Sequence, residues 1–122
     1  MRNFLLLLLT LMATYRLQAQ AHISIDSATY NFGSVHRKAM VEHTFRLRNT
    51  GNEPLVIQSV EPACGCVTVN YSRQPIAPGA EAEITLRFLP KGKKGFQLRS
   101  AEVQSNADNA TVQLYLKGEV LQ

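Results

Sequence analysis

The sequence predicts an all-β chain, an antiparallel β-sandwich of seven to eight short strands. Three observations carry that reading. Hydrophobicity alternates with a period of two nearly everywhere beyond residue 21, which places apolar side chains on one face of a strand and polar ones on the other. Turn signals punctuate the alternation at intervals of roughly 8–12 residues. No window of helical spacing competes in that stretch.

Ile23 and Ile25 alternate with Ser24 and Asp26, and Tyr30 and Phe32 follow. Val41, His43, Phe45 and Leu47 alternate with Glu42, Thr44, Arg46 and Arg48, a half-buried strand with charges on its solvent face. It ends at Asn49-Thr50-Gly51-Asn52, where Asn side chains bond to nearby backbone and Gly accepts positive φ. Leu55–Val60 is a β-branched strand, stopped by Pro62, and Val67, Val69 and Tyr71 alternate again. Ile76-Ala77-Pro78-Gly79 is a turn; Ile84, Leu86 and Phe88 then alternate until Pro90. Lys91-Gly92-Lys93-Lys94 reads as a solvated loop. Phe96, Leu98 and Val103 occupy the next strand, and their change of parity predicts a bulge or an edge. After a polar turn at Ser105–Asn109, Val112, Leu114 and Leu116 alternate, and Gly118 lets the last strand bend.

That many strands in about 100 residues read as one sandwich of immunoglobulin type. A small β-barrel is the structural alternative. The Cys…Trp…Cys core of antibody domains is missing, because the chain has no Trp and its two cysteines stand one residue apart.

The first residues read as an export signal. Arg2 supplies the positive start, and Phe4–Met12 is an apolar run broken only by Thr10. Ala19-Gln20-Ala21 fits the small-x-small cleavage rule, with a cut after Ala19 as the close competitor. The signal therefore spans residues 1–21, and residues 22–122 form the single domain. No apolar run reaches the roughly 20 residues of a membrane-spanning helix. Export to the periplasm or the cell surface is the expected destination. Without Arg2 and Arg16, eleven Lys and Arg face nine Asp and Glu, so the charge falls from +4 to +2. That balance gives no support for nucleic acid as a partner.

Cys64-Gly65-Cys66 is the one motif with chemical potential. Residues two apart on a strand share a face, and Gly65 permits a tight turn. A local disulfide is one reading, because export favours oxidation. It would close a loop of only three residues, worth about 1.6 kcal/mol in the chain-entropy treatment. Thiol exchange is a second reading, although no cation lies within three residues of either cysteine to favour a thiolate. A soft metal such as Cu(I) is a third, with His22, His36 and His43 as conceivable further ligands. Two reduced thiols without a role complete the set.

Several of these segments carry a resemblance. Phe32-Gly33-Ser34-Val35 and the run from Phe45 through Asn49-Thr50-Gly51-Asn52-Glu53-Pro54 to Ile57 resemble the opening of Hydin-like or MSP-like immunoglobulin domains. Pro62-Ala63-Cys64-Gly65-Cys66-Val67, Ile76-Ala77-Pro78-Gly79, Ser105-Asn106 and Leu116-Lys117-Gly118-Glu119-Val120 are similar to a family of secreted bacterial domains of unknown function. Ala63 departs from it, where a Ser is expected. The resemblance spans Phe32 to Val120. It implies an immunoglobulin-like sandwich and an exported protein, and no activity.

No nucleophile elbow, metal-ligand helix or glycine-rich phosphate loop surrounds the Ser, His and acidic residues. The expected protein is thus not an enzyme and needs no cofactor. It is an interaction or structural module with a protein partner in the cell envelope. A thiol or Cu(I) protein acting through Cys64 and Cys66 is the alternative.

Overall fold

The computed structural model describes residues 19–122; residues 1–18 of the export signal expected over residues 1–21 lie outside them. Eight strands follow in order: β1 Ile23–Ile25, β2 Thr29–His36, β3 Val41–Asn49, β4 Ile57–Pro62, β5 Val67–Tyr71, β6 Glu81–Phe88, β7 Gly95–Ser105 and β8 Thr111–Leu121. They form two four-stranded sheets, β1-β3-β6-β5 and β2-β8-β7-β4. Pairing is antiparallel except for β2 with β8, which run parallel. This is the immunoglobulin-type arrangement that the alternation predicts.

The core is what the two inner faces share. Val41, Phe45 and Leu47 of β3 and Ile84, Leu86 and Phe88 of β6 meet Ala101 and Val103 of β7 and Leu114, Leu116 and Val120 of β8. Each fully buried Phe or Leu contributes roughly 1.5–3 kcal/mol over leaving it in water. The outer face of the first sheet is a ladder of opposed charges. Glu42 faces Arg87, Arg46 faces Glu83 and Arg48 faces Glu81, at 2.8, 3.7 and 3.3 Å. Exposed pairs of this kind add about 0–1 kcal/mol each. Opposite charges across the ladder favour this register over a slipped one.

Four local expectations change. β4 begins at Ile57 and includes Pro62, while Leu55 makes an isolated bridge to Ile76. Pro62 is tolerated because β4 is an edge strand. β7 pairs with β8 without a break, so of the predicted bulge or edge only the edge remains on this strand, at Gly95–Arg99 where β4 does not reach. Its parity changes because the inward positions next to Ala101 and Val103 are the polar Arg99 and Gln97. The register breaks fall instead in β2, between Asn31 and Gly33, where Gly33 has φ 69°, and in β4, between Ile57 and Ser59 where it pairs with β7. Gly118 does not serve a bend: the Phe32 ring lies over it, and a Cβ there would come within 2.4 Å of that ring. Gly51 does not have the positive φ expected of it, whereas Gly79 does, at 80°. A Cβ on Gly51 would lie 2.1 Å from the Gln20 carbonyl oxygen, so close approach of backbone is what requires glycine.

The end of the sandwich around Gly51 is closed by hydrogen bonds. Asn49 is fully buried. Its Oδ1 accepts from the Gly51 and His22 amides at 3.0 and 3.3 Å, and its Nδ2 donates to the Glu53 and Ile76 carbonyls at 2.7 and 3.0 Å. Asn109 Oδ1 accepts from the Ile23 amide, and its Nδ2 donates to the Ile23 carbonyl. Asn106 ties the Pro54 carbonyl and the Val56 amide to the β7–β8 turn in the same two-sided way.

Candidate functional site at the Cys64–Cys66 end

After β4 the chain leaves the second sheet and crosses to the first through Ala63-Cys64-Gly65-Cys66. Three backbone bonds fix that crossing: the Ala63 amide to Ser100 O at 2.9 Å, the Leu89 amide to Cys66 O at 3.1 Å and the Val67 amide to Cys64 O at 3.4 Å. The Cys66 amide also points at Cys64 Sγ, 3.2 Å away. The two sulfurs meet as a disulfide with Cα atoms 5.3 Å apart. Both cysteines are half-buried against the core, and Gly65 between them is exposed with nothing near its Cα that a methyl would touch.

A cation that local spacing does not reveal lies across the sheet. Pro62 pairs with Ala101, and the next bond joins the Ala63 amide to the Ser100 carbonyl, one residue from Arg99 on β7. Arg99 faces inward, with its guanidinium 5.5 Å from the centroid of the Phe88 ring. One Nη donates to Gln97 Oε1, while the buried Nε has no partner. Phe88 is followed at once by Leu89, which bonds Cys66.

The edge here is open. β4 covers β7 only from Ala101 to Ser105, leaving Gly95–Arg99 without a strand on that side. Phe96 and Leu98 stand on the outer face of this stretch, 72% and 55% exposed. Met40 and Leu89, from neighbouring loops, are about half exposed. The segments 37–40, 63–66 and 89–94 carry Arg37, Lys38, Lys91, Lys93 and Lys94, and no Asp or Glu. Arg37, Lys38, Leu89, Pro90, Lys91 and Gly92 line a shallow groove of about 450 Å³.

The histidines do not converge on the cysteines. His22 bonds Asp108 Oδ1 at 2.6 Å at the opposite end, and this bond holds the Asp108 carboxyl below its usual range. His43 stacks on Tyr30 at 3.9 Å and meets Phe45 edge-on, where burial lowers its pKa below 6.5. His36 accepts the Lys38 amide at 3.3 Å. Among the described residues no three His, Cys, Asp or Glu side chains cluster as a metal-binding group would.

Solved structures with the same architecture are distant in sequence. A protein of unknown function from Porphyromonas gingivalis W83 superposes with a TM-score of 0.73 at 19% identity; the match covers 86% of this chain and 50% of that one. This chain therefore spans half the length of that relative. PapD-like domain 7 of human CEP192 gives 0.64 at 12% identity, covering 89% of this chain and 92% of that one. The YadV chaperone gives 0.58 at 17%, covering 82% and 52%. These likenesses show the fold, a PapD-like sandwich, and nothing further. No curated protein is similar to the chain in sequence. Residues 23–120 match the family described as protein of unknown function DUF1573, nearly the whole of the folded chain, and the protein belongs to that family.

Proposed function

We propose that the domain is a non-enzymatic interaction module, exported to the periplasm or the cell surface, that takes an extended segment of a protein partner onto the open stretch of β7. The observation that carries this is the unpaired edge at Gly95–Arg99 beside exposed Phe96 and Leu98. A bare edge offers backbone donors and acceptors to a strand, and adjacent apolar side chains add affinity. The similarity to PapD-like domains and to a chaperone supports the reading by analogy of fold. The five cations around the edge favour a partner segment rich in Asp and Glu. A photo-reactive residue at position 98 tests this in living cells, with position 83 on the charged outer face of the other sheet as control. Discrete adducts from position 98 alone are expected. The same adduct pattern from both positions, or none from either, refutes the edge.

A second reading has its own observation. Arg99, next on β7 to the Ser100 that holds Ala63, presents a buried Nε with no hydrogen-bond partner among the described residues, the kind of group that stabilises a thiolate when it stands beside one. In that reading Cys64 and Cys66 serve thiol exchange or a soft metal. Changing both cysteines to Ser separates the two. An interaction module keeps its position-98 adducts and loses no more than about 1.6 kcal/mol of stability. A thiol protein loses its function while remaining folded.

A further inference from the structure

Gln20, Ala21 and His22 precede the first strand, yet they are part of the sandwich. Ala21 is 2% exposed and belongs to the core cluster. Its carbonyl accepts the Asp108 amide at 2.9 Å. Gln20 makes a two-way bond with Asn52: its own amide donates to Asn52 Oδ1 at 2.8 Å, and its carbonyl accepts the Asn52 amide at 3.0 Å. His22 continues the pattern, its carbonyl accepting from Thr50 at 3.0 Å.

Gly51 gives independent testimony. A Cβ at that position would lie 2.1 Å from Gln20 O and 2.7 Å from both Ala21 Cα and His22 N. Gly51 has ordinary negative φ, so its conformation does not demand glycine. What demands it is the passage of residues 20–22 against it. Two of its three nearest atoms belong to residues that a cut after Ala21 would discard.

We propose that the export cut falls after Ala19, so that Gln20 is the first residue of the mature chain and its amine anchors the fold. The inference rests on the export reading. The cleavage rule taken alone points to Ala21, because Ala19 then supplies the upstream small residue, whereas a cut after Ala19 puts Leu17 in that place. The folded chain opposes the rule. A cut after Ala21 removes a buried side chain and strips three hydrogen bonds from Asn52 and Asp108. A cut after Ala19 removes none of them. It also turns the Gln20 amide into an ammonium, which strengthens the bond to Asn52 Oδ1.

The test is the N-terminus of the full-length chain after expression and export, read by intact mass and N-terminal sequencing. A mature chain starting at Gln20 is expected, with a free amine or as the cyclised lactam lighter by one ammonia. A chain starting at His22 overturns the proposal and leaves the export reading standing. A chain retaining residues 1–19 in every compartment overturns both. Thermal melts supply a second readout. The chain 22–122 should melt at least about 5 °C below the chain 20–122. Asn52→Ala should lower the melt of 20–122 and leave that of 22–122 unchanged. Equal melting of the two chains would overturn the anchoring role.

Discussion

At one end of the sandwich Asn49, Asn52, Asn106, Asp108 and Asn109 hold four segments together by bonds to backbone. At the other end Met40, Leu89 and Phe96 stand in solvent near five cations, and half of β7 has a neighbour on one side only. The first end satisfies its own donors and acceptors and has little left to offer. The second has unspent backbone groups, apolar surface and five cations, with Glu119 across from Phe96 as an acid on the neighbouring strand. Stability and the proposed recognition are thus separated along the strand axis, and substitutions at the two ends should differ in kind.

The sharpest way to break the contrast is Asn49→Ala. It empties a fully buried site and takes away the partners of the part-buried His22 and Gly51 amides and Glu53 carbonyl, together with one of the two donors to the buried Ile76 carbonyl. A loss of about 3 kcal/mol or more is expected in denaturant unfolding, since each buried group left unmade costs roughly 1–3 kcal/mol. Next is a matched pair of glycines. Gly51→Ala drives a methyl into backbone and should cost about 1–3 kcal/mol. Gly65→Ala, between the cysteines, meets nothing and should stay within about 0.5 kcal/mol of the parent. Equal costs for the two would erase the distinction between a closed and an open end.

The smallest effect is one of pH. Burial lowers the His43 pKa below its ordinary 6.5, so the folded chain binds that proton less readily than the unfolded one. Its contribution is complete above pH 6.5 and is lost as pH falls through the lowered value. Asp108 behaves alike at lower pH, chiefly through its bond to His22: the contribution is present above 3.8 and is lost as pH falls through the depressed value. Melting temperature against pH should therefore fall in two steps on acidification. His43→Phe should remove the upper step and Asp108→Asn the lower.

The alternation in β3, β6 and β8 made the sandwich legible, because inward positions there are apolar apart from His43, Asn49 and Gly118. β7 was harder to read. Gln97 and Arg99 occupy inward positions, so the pattern of Phe96 and Leu98 pointed the wrong way out of the core. Turn chemistry identified Asn49 and Gly51 as a reversal, but not Asn49 as a buried hub or Gly51 as a point of backbone contact. Both roles depend on residues 20–22, far away in sequence. The same distance hid Arg99 from Cys64. Spacing reports what shares a strand; it does not report what stands on the next one.

The parallel pairing of β2 with β8 has a consequence in time. Its register runs from Thr29 against Tyr115 to His36 against Leu121, so an early strand is completed by the last one. A chain delivered N-terminus first, from a ribosome or through a pore, holds β2 without a partner until Thr111–Leu121 has emerged. Closure of the sandwich waits for the delivery of β8, and its long-range pairing places folding in the slow class, milliseconds to seconds. For that interval β2 has no ladder to join, and the topology acts as a clock.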